Sequence, residues 1–431
     1  GQPGSYTTFS SNTFMKSYAN SPGPYYAVSL NGNSGNYSTV AQNNTFTANK
    51  IQNFYYYAIF QYYTNGNSIT SNDISRANTS IGGSTTLYGI YNYYSYSTTR
   101  SAEISKNSIH DLPFAGATLT TTTLLSYYLT YDYYVYGNAT YRSQIVGNSF
   151  YNIYTTTGSC YGNYVYYPQY LDIKGNTMDN IQSSGTAASM YMWYVYYPTY
   201  TVMDGNKITN SVGNYYWYSW YIYYGSYIDV LNNVCDNIKQ NYTSGYLYNY
   251  YIYYPTGVRC NGNTASNNYC GYYMYSFYLY YGSVGTYTWN EFQDNVITKN
   301  SSVNYNYSAY IYYYNGTNNI YINSASATQY QQTQSGTHTW SVAPSGTAGT
   351  AISFTQAMTL TNAGYLGIGT SSPSKLLDVQ GATASGQFVS TTGTNQVFQA
   401  FSNTGGGMIV GQEGSAGSAL FLATASYSGA I

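Results

Sequence analysis

The sequence Tyr164-Val165-Tyr166-Tyr167 recurs about every 30 residues along the middle of this 431-residue chain. Its other copies are Tyr194–Tyr197, Tyr221–Tyr224, Tyr251–Tyr254, Tyr278–Tyr281 and Tyr310–Tyr313. The central aliphatic residues are spaced 30, 27, 30, 27 and 32 residues apart. A period of this length is typical of a solenoid, in which each repeat packs only on its neighbours.

A second repeat, centred on asparagine, runs in step with the first. Its central residues are Asn49, Asn72, Asn107, Asn148, Asn176, Asn206, Asn233, Asn263 and Asn295, with weaker copies at Asn12 and Asn323. Apolar residues recur three positions before and two positions after each of them. This pattern predicts two short strands that meet at a corner. Because asparagine tolerates the left-handed backbone, we expect it at the corner itself, and we expect the stacked amides to form a ladder.

The tyrosine phrase lies 11 residues before the central asparagine in four successive coils, so it predicts a third strand. Side chains alternate across a strand, so Val165, Val195, Ile222 and Ile252 should point inward. The tyrosines predicted to point outward are Tyr164, Tyr166, Tyr194, Tyr196, Tyr221, Tyr223, Tyr251, Tyr253, Tyr278, Tyr280, Tyr310 and Tyr312.

Composition excludes several classes of protein. Only 6% of the residues are charged and the net charge is −1, which argues against nucleic-acid binding, since that affinity comes from lysine and arginine contacts to phosphates. No apolar run reaches the length of about 20 residues that spans a bilayer. Aromatic residues make up 20% of the chain, which argues against disorder.

The asparagine and tyrosine repeats together resemble the right-handed parallel β-helix family over residues 1–325, with about eleven coils predicted. Residues 326–350 are rich in Ser, Thr and Gly and predict a linker. Residues 351–431 contain Gly367-Ile368-Gly369-Thr370, then Pro373, Leu376, Val379 and Gly381. This motif resembles a module of phage tail fibres and related bacterial surface fibres. We expect the module to be truncated, and trimerisation is implied by the resemblance alone.

Some β-helix proteins cleave polysaccharides, so the carboxylates matter. Asp172 and Asp229 share one position in the coil, two coils apart, which places them roughly 10 Å from each other. Paired carboxylates of inverting glycosidases lie about 6.5–9.5 Å apart. Solvated, non-catalytic carboxylates are the favoured interpretation, and we expect no enzyme activity.

The histidines and cysteines lack the neighbouring residues that a catalytic or metal-binding site requires. His110 and His338 have no neighbours of the kind that a metal site or a catalytic triad needs. Cys235 and Cys260 are expected to be small buried residues, although a disulfide between them is open. We expect no metal and no cofactor.

Three interpretations of the tyrosines remain open. The outward rows could bind a cell-surface glycan, could pack protomers into a trimer or filament, or could simply stack along the solenoid. The predicted function is an extracellular structural and adhesive fibre, with a phage tail fibre or tailspike first. A bacterial adhesin or filament subunit is second, and a polysaccharide-degrading tailspike is third.

Overall fold

The computed structural model describes most of the chain. The described residues are 7–15, 25–32, 41–76, 86–112, 126–155, 158–280, 291–312, 326–332, 336–347, 350–381, 397–403, 406–412 and 421–424. The chain divides into two compact units, residues 1–322 and 323–431, and each is described by itself.

The first unit is a parallel β-solenoid, as predicted. In a typical coil, the strand Leu171–Lys174 leads into a corner at Asn176, and the strand Thr177–Ser183 follows. The strand Met190–Tyr196 then completes the coil. Corresponding strands of successive coils pair in parallel, so the described residues of this unit form three parallel sheets.

We name the sheets after their place in the coil. The pre-corner sheet consists of Thr8–Ser10, Thr45–Thr47, Ser68–Thr70, Glu103–Ser105, Ser143–Val146, Leu171–Lys174, Thr199–Asp204, Ser226–Leu231, Thr256–Asn261 and Glu291–Gln293. The post-corner sheet consists of Thr13–Met15, Lys50–Gln52, Asp73–Ser75, Ser108–Leu112, Ser149–Thr155, Thr177–Ser183, Lys207–Gly213, Val234–Gln240, Thr264–Ser266 and Val296–Thr298, extended by Tyr269–Cys270 and Ser301–Ser302. The tyrosine sheet consists of Tyr26–Asn31, Tyr57–Asn65, Thr86–Tyr96, Ser126–Tyr136, Cys160–Tyr166, Met190–Tyr196, Trp217–Tyr223, Tyr246–Tyr253, Tyr273–Tyr280 and Tyr305–Tyr312, with Ala41–Gln42 paired to its second strand.

The solenoid is shorter than the eleven coils predicted. In the described part of the chain, each sheet contains ten consecutively paired strands, apart from the short extra strands named above. About eight turns of the solenoid are well formed. The prediction counted the weak asparagine copies near both ends, and the copy at Asn323 lies outside the described residues.

The inward residues form one continuous hydrophobic core. Val165, Val195, Ile222 and Ile252 are fully buried and stack in register from coil to coil. Next to this column the core holds a second, aromatic column. It contains Trp193, Trp220, Tyr250 and Phe277, whose stacked rings have centroids 5.0, 6.2 and 4.6 Å apart.

The corner differs from the prediction in one respect. The left-handed residue is the one before the central asparagine, such as Gly175 with φ +61° or Gly205 with φ +65°. The asparagine itself is not among the residues with positive φ. Its amide is engaged in the ladder, so the neighbouring residue provides the turn. Where a non-glycine residue precedes it, that residue adopts the same conformation, as Ser71 does at φ +55°.

The corner asparagines form a ladder along the solenoid axis. Asn176 Nδ2 donates to Asn206 Oδ1 at 2.8 Å and to the carbonyl of Ile145 at 2.8 Å. Asn206 repeats the pattern toward Asn233 at 2.9 Å. Similar amide-to-amide bonds connect the ladder from Asn12 to Asn295, and they include Asn148 and Asn263. A buried amide is stabilising only when its donors and acceptors are paired, and the ladder pairs them.

The described residues of the second unit form two small sheets. The first has strands Ala327–Gln332, His338–Ala343, Thr355–Leu360, Leu366–Ile368 and Leu377–Val379, and the second has Val397–Asn403, Gly406–Gln412 and Phe421–Thr424. Two of these strands lie within the segment 326–350 that was predicted as a linker. Thr, Gln, Trp and Val alternate there and suit a pleated strand, although their low hydrophobicity hid the pattern.

The tail-fibre-like motif forms the end of the five-stranded sheet. Leu366–Ile368 pairs antiparallel with Thr355–Leu360 and parallel with Leu377–Val379. Gly369 follows with φ +73°, and a Cβ there would lie 2.0 Å from the carbonyl oxygen of Gln380. The glycine is therefore required by the turn. Within the described ranges, no helical segment has the length and hydrophobicity needed to cross a bilayer.

Candidate functional site: the tyrosine surface

The middle coils of the tyrosine sheet share four aromatic positions on the outer face. The coil with Val165 contributes Tyr161, Tyr164, Tyr166 and Tyr167, and the same four positions recur in the neighbouring coils. Parallel register brings equivalent residues directly above one another, so the outer face carries four rows of rings. We call this the tyrosine surface.

The rows are defined by their members. Row 1 is Tyr26, Tyr57, Tyr88, Tyr128, Tyr161, Tyr191, Tyr218, Tyr248, Tyr275 and Tyr307. Row 2 is Phe60, Tyr91, Tyr131, Tyr164, Tyr194, Tyr221, Tyr251 and Tyr278. Row 3 is Tyr62, Tyr93, Tyr133, Tyr166, Tyr196, Tyr223, Tyr253 and Tyr280. Row 4 is Tyr63, Tyr94, Tyr134, Tyr167, Tyr197, Tyr224 and Tyr254. Tyr310 and Tyr312 belong to the last strand of the sheet, but their side chains lie outside what the structure describes.

Rings within a row stack face to face. Consecutive rings have centroids 4.6–5.4 Å apart in all four rows. Tyr164 and Tyr194, for example, are 4.8 Å apart with planes at 5°. This spacing matches the distance of about 4.8 Å between paired strands. The coil repeat therefore fixes the aromatic repeat.

Neighbouring rows form a herringbone. Tyr161 of row 1 and Tyr164 of row 2 meet at 80°, with centroids 5.6 Å apart. Tyr164 of row 2 and Tyr166 of row 3 have nearly parallel ring planes, at 10° to each other, with centroids 6.3 Å apart. Tyr166 and Tyr167 of row 4 meet at 85° and 4.5 Å. Edge-to-face and offset stacked contacts are the favourable geometries for aromatic pairs, so the array is stabilised along and across the rows.

This packing determines what a ligand can touch. Each ring inside a row has its faces covered by the rings of the coils on either side, so ring edges and phenolic hydroxyls form the accessible surface. Most of these tyrosines are half-buried, while Tyr167 and Tyr224 in row 4 are 36% and 40% exposed. The surface therefore offers regularly spaced hydroxyls instead of flat aromatic platforms.

Sequence reasoning missed row 1 because strict alternation breaks there. Gly162 and Asn163 are both buried, so two consecutive residues point inward and Tyr161 lies three residues before Tyr164. A Cβ at Gly162 would lie 2.4 Å from the carbonyl oxygen of Met192. The recurrent tyrosine three positions before each phrase was the available signal.

The sequence analysis also missed row 4, because this row depends on an unusual backbone conformation. Tyr167, Tyr197, Tyr224 and Tyr254 have φ between +51° and +54°. This left-handed residue turns the chain at the end of the strand, and its ring stays on the outer face beside the preceding tyrosine. A non-glycine residue with positive φ is uncommon, so its repetition in successive coils indicates that the surrounding structure maintains this conformation.

Several hydroxyls of rows 2 and 3 hold their protons more tightly than a free phenol does. Burial and the hydrogen bond with Tyr167 raise the pKa of Tyr166 to about 12, and Tyr196 has the same shift beside Tyr197. Burial, with the neighbouring phenols, raises the pKa of Tyr164 to about 12. These three hydroxyls are therefore uncharged at neutral pH, and they can donate as well as accept.

The two aspartates considered for catalysis lie at the predicted coil position, with Val202 between them in register. Each is paired with a cation. Arg142 Nε donates to Asp172 Oδ1 at 2.8 Å, and Arg259 Nε donates to Asp229 Oδ1 at 2.7 Å.

His110 is less isolated than the sequence predicts. Its Nε2 lies 2.7 Å from Asp73 Oδ1, its Nδ1 lies 2.8 Å from Asp111 Oδ2, and its ring stacks on Tyr151. Partial burial acts to raise the pKa of Asp111, but hydrogen bonds from His110 and Asn152 lower it overall. Asp73 was not considered because it lies one coil away in the sequence.

The remaining candidates are structural. His338 stacks near Trp340 in the second unit. The cysteines Cys160, Cys235, Cys260 and Cys270 are buried free thiols, so the disulfide left open by the sequence is not formed. In the described part of the chain, no group of three or more His, Cys, Asp or Glu residues is placed to hold a metal ion.

Comparison with protein-family models, with curated proteins and with solved structures finds no match for this chain.

Proposed function

We propose that this protein is a structural subunit of an extracellular fibre and that it adheres to a surface polysaccharide through the tyrosine surface. The observation that supports this function is the continuity of the four rows, which run through almost every coil of the tyrosine sheet. Aromatic rings held this rigidly lose little conformational entropy on binding. Contiguous partly apolar surface of this kind is typical of an interaction site.

The geometry favours a neutral polymer as the ligand. The four rows contain no charged residue, so they provide no counter-ion for an acidic polysaccharide. Because ring faces are covered, binding relies on hydroxyl hydrogen bonds and ring edges, and each such contact is weak. A long chain lying along the rows makes many of these contacts at once, and linked contacts raise affinity far beyond that of a single site.

The tail-fibre-like motif at Gly367–Gly381 supports a phage tail fibre or tailspike as the owner of this fibre. A bacterial adhesin or filament subunit is the second candidate. Its support is the same surface, because edges and hydroxyls of two copies can interdigitate in a trimer or a filament. In that case the tyrosine surface is an assembly interface and is covered in the fibre.

The decisive experiment separates the loss of hydroxyls from the loss of rings. In one variant Tyr166, Tyr196, Tyr223 and Tyr253 are replaced by Phe, for which Phe60 in row 2 is a natural precedent. In a second variant the same residues are replaced by Ser. The control replaces Tyr170, Tyr200 and Tyr227 by Phe, since these residues stack at 4.6 and 4.4 Å outside the four rows.

Co-sedimentation with insoluble neutral polysaccharides and analytical ultracentrifugation are measured in parallel. We expect both row 3 variants to lose polysaccharide binding, the control to retain it, and the oligomeric state to be unchanged. Loss of assembly in the row 3 variants would favour the filament interface. Unchanged binding and unchanged assembly would reject the tyrosine surface as a contact site.

A further inference from the structure

The solenoid core contains a polar column where the later coils are aliphatic. From Val165 to Leu279 the residue at this inward position is Val, Ile or Leu. In the three preceding coils it is Gln61, Asn92 and Asp132, stacked in register. All three are buried, and Asp132 is 0% exposed. Burial of polar groups costs free energy unless they are paired, so polar residues at this inward position require compensating interactions.

Hydrogen bonds satisfy only part of this column. Asn92 Nδ2 donates to Asp132 Oδ1 at 3.1 Å, and Gln61 Oε1 accepts from Asn67 Nδ2 at 3.0 Å. Two oxygens, Asn92 Oδ1 and Asp132 Oδ2, are buried without a partner among the described residues. When Asp132 is ionised both oxygens are acceptors, so the missing partner is then a donor or a cation.

A small cavity lies against these residues and is large enough for one water-sized guest. Gln61, Asn92 and Asp132 line it, together with Ser95 and Ser143. Among the lining residues that the structure describes, Glu103 is the only other charged one. Its carboxylate accepts hydrogen bonds from Ser68 and Ser105 and is partly exposed, whereas Asp132 is fully buried and its Oδ2 has no such partner.

We propose that this cavity binds a small monovalent cation of the alkali class, held by Asp132 Oδ2 and Asn92 Oδ1. An isolated buried carboxylate is strongly unfavourable, and it must be neutralised by a proton or by a cation. A water molecule supplies hydrogen bonds but leaves the charge in place. One unpaired carboxylate balances one positive charge, and the carboxylate, amide and hydroxyl oxygens of the lining are the ligand type that hard cations prefer.

The test compares thermal unfolding of the intact chain in NaCl, KCl and choline chloride at equal ionic strength and pH 8. A ligand that binds only the folded state raises Tm with its concentration. We expect Tm to rise with Na⁺ or K⁺ relative to choline in the wild type. We expect no such difference in Asp132→Asn, which keeps the side-chain shape without the charge. The control Asp172→Asn, at an ion pair near the surface, should retain the alkali dependence.

A second variant and a direct measurement cover the case in which Asp132→Asn does not fold. Asp132→Val continues the aliphatic column of Val165 and should also abolish the alkali dependence. Crystals soaked in RbCl should show an anomalous peak in the cavity of the wild type. Equal Tm values in the three salts, an alkali dependence that persists in both Asp132 variants, or an empty cavity in the rubidium data would each overturn the proposal.

Discussion

Tyr166 and Tyr167 are consecutive in the chain, yet both rings lie on the outer face, 4.5 Å apart and at 85° to each other. In an ordinary strand one of them would point into the core. The left-handed backbone of Tyr167, with φ +54°, removes this restriction at the end of the strand. The fourth row of the tyrosine surface therefore depends on a backbone conformation that most residues avoid.

Substitutions at Tyr197 should reveal this conformation. Tyr197 has φ +53°, and asparagine tolerates that region whereas a β-branched residue does not. We expect Tyr197→Ile to be less stable than Tyr197→Asn by roughly 1–2 kcal/mol, measured from urea unfolding midpoints. At Tyr196, in the strand itself, the order should reverse because isoleucine favours strands. The same order at both positions would contradict the assignment.

Removal of one amide from the corner ladder should be costly. Asn206 Nδ2 donates to the carbonyl of Ile173 and to Asn233, and its Oδ1 accepts from both nitrogens of Asn176. Asn206→Ala leaves several of these groups buried and unpaired. We expect a loss of about 2–4 kcal/mol in the free energy of unfolding. Asn241→Ala, at an exposed side chain, is the control and should change stability by less than about 0.5 kcal/mol.

Stability should fall as the pH rises toward neutrality. Burial raises the pKa of Asp132 from 3.8 to about 7, although the hydrogen bond from Asn92 opposes the shift. Between these two pH values the folded state holds a proton that the unfolded state has released. The contribution of Asp132 to stability is thus highest below about pH 4, decreases up to about pH 7 and is level above it, with a total change on the order of 4 kcal/mol.

This pH profile is measured by urea unfolding in alkali-free choline buffer. Asp132→Asn should remove the downward slope in this window, because no titrating group then replaces the carboxyl. Other carboxylates with lowered pKa, such as Asp111, act in the opposite direction and are shared by both proteins. The difference between the two curves isolates Asp132. Parallel curves would show that this carboxyl does not titrate with folding.

The aspartates at the outer coil position should be dispensable. We expect Asp172→Asn and Asp229→Asn to leave polysaccharide binding unchanged and to lower stability by no more than about 1 kcal/mol, because partly exposed ion pairs contribute little. The measurements are thermal unfolding and a reducing-end assay on candidate polysaccharides. A cleavage activity present in the wild type and lost in either variant would establish a catalytic role that the paired geometry does not favour.

Much of the solenoid could be predicted because its rules are local. Alternation about the corner asparagines determines which residues face the core, and Val165 and Ile222 lie where the pattern places them. The tyrosine phrase was not recognised in the earlier coils, because Asn92 and Asp132 stand there in place of its central aliphatic residue. The rows of Tyr161 and Tyr167 depend on a double inward step and a left-handed turn, which period-two reasoning does not contain.

The polar cavity could not have been found from sequence spacing. Ser95, Glu103 and Ser143 lie on different strands, and only the stacking of coils brings them beside Asp132. A polar residue in a strand pattern is ordinarily assigned to the solvent face, whereas here register forces it inward. The structure of the site is therefore a property of coil stacking and not of any single repeat.

The stacked rows should also transfer electronic excitation energy from tyrosine to tryptophan. The chain has 66 tyrosines and five tryptophans, and the buried pair Trp193 and Trp220 lies on the inner side of the same sheet. Light absorbed by a tyrosine in the rows can migrate from phenol to phenol and reach an indole across a single β-sheet. Folded protein should thus emit as tryptophan in an apolar medium, and tyrosine emission should return when the coils separate.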